Sequence, residues 1–188
     1  MWWPEHRAAI ARWARPALAL ALAVPLAGCF EPLYGQRTMS GGEGVMQRLS
    51  SVEVVPISAP SGTPEARIAT EMRNVLIYDL TGGSGMQNPT HRLTIQLTSR
   101  RAQVIVDINT ARPDVEEYRV NATYTMTELA TGKVVVTGRT FSRSSYDIPG
   151  QQQRFARERG LRDAQDRAIK VISENIRSRL ASYFVAGT

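Results

Sequence analysis

The sequence predicts an α+β fold: a two-layer sandwich with a four-stranded mixed sheet and two helices packed on one face, in the order β-α-β-β-β-α. Three observations carry this reading. Residues 91–98 and 118–127 alternate apolar and polar side chains, the two-residue period of half-buried strands. Residues 64–80 and 161–184 place apolar side chains three or four apart, the period of a helix with one buried stripe. A helix separates the first strand from the second, which supplies the crossover that a parallel neighbour requires.

The elements follow in order. Val52, Val54, Val55 and Ile57 read as a strand, which Pro56 ends or confines to an edge because it lacks an N–H. After a turn-rich loop, Thr63-Pro64-Glu65 combines a capping hydroxyl, a proline at the first helical position and an acid in the first turn. Ile68, Met72, Val75, Leu76 and Leu80 form the stripe of that helix, and Gly82 suits its left-handed stop. In the second strand His91, Leu93, Ile95 and Leu97 alternate with Arg92, Thr94, Gln96 and Thr98. A break is expected at Arg100-Arg101, before Val104-Ile105-Val106, and a loop over residues 107–114. The third strand sets Tyr118, Val120, Ala122, Tyr124 and Met126 against Arg119, Asn121, Thr123, Thr125 and Thr127. Ala130-Thr131-Gly132 is a hairpin turn into a fourth strand over residues 133–143. Asp147-Ile148-Pro149-Gly150 opens the last helix, with Leu161, Ala164, Ala168, Ile172, Ile176, Leu180 and Phe184 on its buried stripe. One sheet face is therefore covered. The other is rich in Thr, Arg and Asn and faces solvent or another protein.

The 188 residues divide into three parts. Residues 1–28 read as a secretory signal: Arg7, Arg12 and Arg15 against Glu5, then a short apolar run. That run is too short to span a bilayer, which takes about 20 residues. It ends in Leu26-Ala27-Gly28-Cys29, which resembles the bacterial lipobox. Small residues admit the peptidase, and the thiol is the nucleophile that takes the lipid. Cys29 is thus the expected lipidation site, carrying a covalent diacylglycerol and an acyl chain. Two or more chains anchor a protein stably. Phe30, where Asp would resemble an inner-membrane retention signal, favours the outer membrane. Residues 29–50 form the lipidated N-terminus and a flexible tether, Gly/Ser-rich at 40–44. Residues 51–188 are one domain, large enough to bury a core without disulfides. None can form, since Cys29 is the only cysteine.

The formal net charge is +6, and +4 once residues 1–28 are removed. The span 154–179 holds eight bases and four acids, so the excess resides in the last helix. A basic surface of this kind suits phosphate or an acidic lipid. A secreted lipoprotein does not meet nucleic acid, so no nucleic-acid partner is expected. The parts of an enzyme are missing. His91 is the one histidine after residue 28, no free thiol remains, and there is no metal-ligand spacing. Gly82-Gly83-Ser84-Gly85 follows a helix rather than a strand, so it is not a phosphate loop. Glu116 and Glu117 are neighbours on a strand and point to opposite faces. Arginines remain: Arg154, Arg157 and Arg162, with Arg100, Arg101 and Arg112 on strand ends or loops. Their forks suit phosphate. The alternative is a solvated helix face stitched by pairs such as Glu158–Arg162 and Asp163–Arg167.

Several stretches resemble the LPS-assembly lipoprotein family LptE. Phe30-Glu31-Pro32-Leu33-Tyr34-Gly35 is similar to that family's aromatic stretch after the cysteine. Ala69-Thr70-Glu71-Met72-Arg73-Asn74-Val75-Leu76 resembles its first helix. Tyr118-Arg119-Val120-Asn121-Ala122-Thr123-Tyr124 resembles its central strand, and Phe141-Ser142-Arg143-Ser144-Ser145-Tyr146-Asp147 its last strand and exit. The resemblance implies a lipid-anchored outer-membrane protein, on the periplasmic side, without enzymatic activity or cofactor. Its partners would be an LptD-like β-barrel, which it plugs, and lipopolysaccharide. Arg154 and Arg157 match by position a basic site near the start of the last helix. Arg112 is nearest to a second such site, near the loop between strands two and three. The other reading is a periplasm-facing lipoprotein that carries lipid in an apolar pocket of its own.

Overall fold

The computed structural model describes residues 44–86, 88–106, 113–148 and 154–186. The signal over 1–28, Cys29, the tether up to residue 43, Arg112 and the start expected for the last helix at Pro149-Gly150 lie outside these residues. The described chain runs α1 (Val45–Ser50), β1 (Val52–Val54), α2 (Pro64–Thr81), β2 (His91–Val106), β3 (Pro113–Glu128), β4 (Val134–Asp147) and α3 (Arg154–Ala186). The four strands form one sheet in the order β1-β2-β3-β4. The short β1 is parallel to β2, while β2, β3 and β4 form an antiparallel meander. This is the α+β sandwich that the sequence predicts.

The structure corrects the domain boundary expected at residue 51. Residues 45–50 belong to the folded unit rather than to the tether. They form α1, with Val45 and Leu49 buried and Leu49 wholly so. An i,i+4 pair lies on one helical face, and that face closes over the end of the core. Arg48 Nη1 donates to the Phe184 carbonyl at 2.9 Å, joining α1 to the last turn of α3.

Elsewhere the expected local signals operate. Thr63 caps α2, its hydroxyl accepting from the Ala66 amide at 3.3 Å, with Pro64 in the first turn. Gly82 ends the helix at φ 63°, a conformation that costs a residue with Cβ more than it costs glycine. Pro56 shortens the first strand to three residues. The last ladder bond from this segment is Val55 N–H to the Leu93 carbonyl at 3.0 Å. The break expected at Arg100-Arg101 does not occur. Arg100 and Arg101 pair in register with Arg119 and Tyr118, and the irregularity falls at 103–106. Strand four also runs four residues beyond the expected 143, because Ser144 and Tyr146 continue the inward alternation.

All three helices lie on one face of the sheet. Leu93, Ile95, Tyr118, Val120, Ala122, Tyr124, Met126, Val136 and Tyr146 point into that layer. Facing them are Met72, Leu76 and Leu80 of α2 and Ala164, Ala168, Ile172, Ile176 and Leu180 of α3. Gly160 of α3 lies against the Tyr146 ring of β4, which fills the space beside it. Gly138 serves the same purpose inside the sheet. It stands directly opposite Tyr124, whose ring occupies the space a Cβ would need. The helices are joined by polar ties at their margin. Ser173 Oγ donates to Asp79 at 2.7 Å, and Arg67 donates to Gln165 and lies 3.7 Å from Asp166.

Candidate functional site

At one end of the helical layer Glu116, Tyr146 and Arg157 meet. Glu116 and Tyr146 are cross-strand partners on β3 and β4, both on the helix-facing side. Glu116 is 5% exposed. Tyr146 Oη donates to its Oε2, and Arg157 Nη2 donates to its Oε1 at 2.9 Å. Burial, then the hydrogen bond and charge of Glu116, push the Tyr146 hydroxyl up to about 12, against opposing charge from Arg101 and Arg157. The carboxylate has a partner on each oxygen, as a buried charge requires. The cluster clamps the first turn of α3 to the far end of the sheet. Arg157 keeps 46% of its side-chain surface exposed, so its remaining donors reach solvent.

The structure thus gives Arg157 a structural partner that the sequence did not indicate. Arg154 opens α3 one turn earlier, and its side chain, like the whole of Arg112, lies outside the described residues. Arg162 is exposed on α3. Of the helix pairs expected from spacing, Asp163–Arg167 forms. Glu158 and Arg162 do not pair. Arg167 also donates to the Ser145 carbonyl at 2.9 Å, so this arginine braces α3 on β4.

The opposite face of the sheet is uncovered by the described residues. It carries Arg92, Thr94, Gln96, Thr98 and Arg100 on β2, Arg119 and Asn121 on β3, and Arg139, Phe141 and Arg143 on β4, all exposed. Register brings three of these together: Arg100 stands opposite Arg119, and Arg119 opposite Arg143. Thr98, Asn121 and Phe141 form the next row. An open cleft of about 360 Å³ lies between the rows, lined by Thr98, Arg100, Arg119, Asn121, Phe141 and Arg143. Arg119 pairs with Glu117, two residues along the same face. The Arg143 guanidinium lies over the Phe141 ring at 5.4 Å. Arg100 and Arg143 have no carboxylate partner among the described residues. Phe141 is 60% exposed, an apolar ring beside the arginines on a face that also exposes Val134.

A third surface lies at the other end, where α1 meets α3. A cleft of about 480 Å³ is lined by Arg48, Ser51, Thr90, His91, Glu128 and Phe184, among others. His91 packs edge-on against Phe184 and Tyr183, with centroids 5.2 and 6.2 Å apart, and its Nδ1 lies 2.8 Å from the Thr90 hydroxyl. Burial lowers its pKa, opposed by the Glu128 charge. The ring is a half-buried packing element at the start of β2, tied through Thr90 to the Ser51 hydroxyl. Among the described residues no group of three His, Cys, Asp or Glu side chains is placed to hold a metal ion.

Sequence reasoning placed Arg100 at a strand end and did not single out Arg119 or Arg143. The signal was present in part. All three fall on the polar phase of their alternation. The tight turn at 130–132 implies the β3–β4 register, but the register of β2 on β3 passes through a long loop and an irregular ladder, so it could not be counted from sequence.

Comparison with known proteins bears on the fold. No protein-family model matches the sequence, and no curated protein matches it. Solved structures do. A candidate lipoprotein from Caulobacter crescentus superposes with a TM-score of 0.61 at 23% identity, over 77% of this chain and 97% of that one. A minor lipoprotein from Acinetobacter baumannii gives 0.50 at 14% identity, over 71% and 92%. A lipoprotein B from Nitrosomonas europaea gives 0.50 at 13% identity, over 73% and 90%. The described domain shares its fold with nearly the full length of each.

Proposed function

We propose that the protein is a lipid-anchored outer-membrane protein of the LptE type, held by lipid on Cys29. It seats its domain in an LptD-like β-barrel and assists delivery of lipopolysaccharide to the outer leaflet. The observation that carries this reading is the open sheet face. The domain packs most of its large strand and helix apolar side chains into its own core. It then leaves a whole sheet face of threonine, arginine, glutamine and asparagine uncovered. A barrel lumen is polar, and such a face complements it through hydrogen bonds.

Three further points support the reading. The lipobox-like segment and the spaced motifs described above resemble that family. The solved structures that share the fold include proteins called lipoproteins. No step requires catalysis or a cofactor beyond the covalent lipid. The protein acts by binding, on the periplasmic side of the outer membrane. Arg157, with Arg154 and Arg112, supplies cations for lipopolysaccharide phosphates. Arg157 does this with the donors that Glu116 leaves free. A carrier with its own lipid pocket would need an enclosed apolar cavity, and the two clefts described above are partly open, with walls of mixed polar and apolar character.

Affinity purification from outer membranes tests the partnership. A large β-barrel protein recovered in stoichiometric amount is the expected result, and a free monomer would sink it. The headgroup role of the helix is tested by changing Arg154 and Arg157 to acids and measuring lipopolysaccharide binding, with folding monitored in parallel. Weakened binding by a folded variant is expected. Unchanged binding would leave these arginines as a clamp and a solvated face only.

A further inference from the structure

The sheet has two edges, and they differ. On one side β1 is three residues long and ends before Pro56. On the other, β4 runs for fourteen residues, with β3 as its one strand partner among the described residues. Backbone groups of an edge strand alternate: one residue bonds its neighbour, and the next turns its N–H and C=O outward. The hairpin sets the phase. The Glu128 amide donates to the Lys133 carbonyl and the Gly132 amide to the Glu128 carbonyl, both at 2.9 Å. Even-numbered residues of β3 therefore bond β4, and from Val136 onward their partners are even-numbered too. Thr137, Arg139, Phe141, Arg143 and Ser145 turn outward. Ser145 agrees with this count, since its carbonyl accepts from Arg167 at 2.9 Å.

Arg167 thus covers the edge at Ser145. Among the described residues no backbone bond outside the β3 ladder involves residues 137–143. At about 3.4 Å per residue this bare strip is about 24 Å long, and such an edge accepts an added strand. Its surroundings say which kind. Arg139 and Arg143 project beside it on the open face, both exposed and neither in an ion pair among the described residues. Arg167, Val171 and Asn175 are four residues apart on α3 and share one side. Arg167 reaches Ser145 and Asn175 reaches the Thr140 hydroxyl, so Val171, 43% exposed, lies beside the edge on the helix side. An added strand sets alternate side chains against the two arginines and against Val171. A second copy fits poorly, because antiparallel β4–β4 pairing brings the same arginines across the new ladder. A closed barrel wall has no strand edge to offer.

We infer that the β4 edge over residues 137–143 takes up an extended acidic segment of the barrel partner, a loop or terminus rather than a wall strand, as a fifth strand of the sheet. This rests on the proposed partnership for the source of the segment. It adds main-chain hydrogen bonds along one edge to the side-chain contacts of the open face.

The test compares the full chain in detergent, alone and copurified with the barrel protein, by amide hydrogen exchange. The amides of Arg139, Phe141 and Arg143 should exchange freely in the chain alone and slow by at least about a hundredfold in the complex. Unchanged exchange in an intact complex overturns the edge and leaves the partnership standing. A wild-type chain that recovers no barrel refutes both. Protection already present in the chain alone also overturns the proposal: dependence on protein concentration assigns the edge to a second copy, and independence assigns it to residues of the same chain. Phe141→Pro removes an outward N–H and leaves the β3 ladder intact, since proline is tolerated at an edge. It should reduce retention of the barrel at least about tenfold more than Phe141→Thr, which changes the side chain and keeps the N–H. Equal losses would place the contact on the side chain and refute the added strand. R139Q with R143Q should weaken retention and flatten its dependence on salt. Retention with the salt dependence of wild type refutes the acidic segment.

Discussion

Arg157 donates to Glu116 across the boundary between α3 and the sheet, at 2.9 Å, and Glu116 is almost wholly buried while Arg157 is half exposed. The asymmetry decides what each substitution does. Removing Arg157 leaves a buried carboxylate with one partner in place of two. Arg157→Ala should therefore cost about 1–3 kcal/mol, read as a lower denaturant midpoint. Glu116→Leu combined with Arg157→Met should recover most of that loss, because a buried pair replaced by apolar groups is often close to neutral. A single Arg157→Ala variant as stable as wild type would mean the clamp contributes nothing.

Tyr146 shares the same carboxylate, and its hydroxyl is pushed up to about 12, chiefly by burial. An unfolded tyrosine titrates near 10. Between these values the folded chain keeps a proton that the unfolded chain releases. The stabilisation from this group is complete below pH 10 and is lost as pH rises toward 12. Denaturation measured from pH 9 to 12 should show a steeper decline for wild type than for Tyr146→Phe. Parallel curves would place the alkaline transition on another group.

Most of the fold was legible because its signals are local. Thr63, Pro64 and Gly82 set both ends of α2 by hydrogen-bond geometry and backbone freedom, and alternation marked β2 and β3. What escaped was short or non-local. Val45 and Leu49 make one buried i,i+4 contact, too little periodicity to stand out beside a glycine-rich run. The partner of Arg157 comes from a strand 41 residues earlier. The arginine row depends on the register of three strands. A sequence shows which residues share a phase, and only the pairing shows which of them share a row.

The α1 boundary predicts a truncation effect. Leu49 is wholly buried, and cutting a large apolar side chain from a packed site costs about 2–5 kcal/mol. Leu49→Ala should destabilise the domain by an amount in that range. A chain begun at residue 51 should be less stable than one begun at residue 44, and the loss should be at least as large as for Leu49→Ala. Equal thermal midpoints for the two chains would return residues 45–50 to the tether.

His91 predicts a response at mild acidity. Its ring packs against Phe184 and Tyr183, and burial lowers its pKa from the usual 6.5. The folded state therefore favours the neutral ring, and the unfolded chain takes up the proton first as pH falls. Stability from this group is present above about pH 6.5 and declines as pH falls through the lowered value. His91→Phe keeps an aromatic ring at the site and removes the titration. The difference in midpoint between wild type and His91→Phe should shift in favour of the variant from pH 7.5 to pH 5. Carboxylates remote from the ring are common to both chains and cancel in that difference. Glu128, whose charge acts on His91, is replaced by Gln in both chains so that it cancels too.

Gly138 gives the last prediction, and it separates packing from backbone freedom. The residue sits in mid-strand opposite Tyr124, with no positive φ to explain a glycine. Glycine in a strand interior is itself unfavourable, and replacing it would ordinarily help. Here a Cβ would run into the Tyr124 hydroxyl and ring, and the ring is held by the core behind it. Gly138→Ala should therefore destabilise by about 1–3 kcal/mol, the usual cost of overpacking. If the collision is the cause, the penalty must depend on the ring. In a Tyr124→Leu background the same Gly138→Ala change should cost little or become stabilising, as a four-member cycle of denaturation curves would measure. A penalty of equal size in both backgrounds would assign the glycine to some property of β4 unrelated to Tyr124.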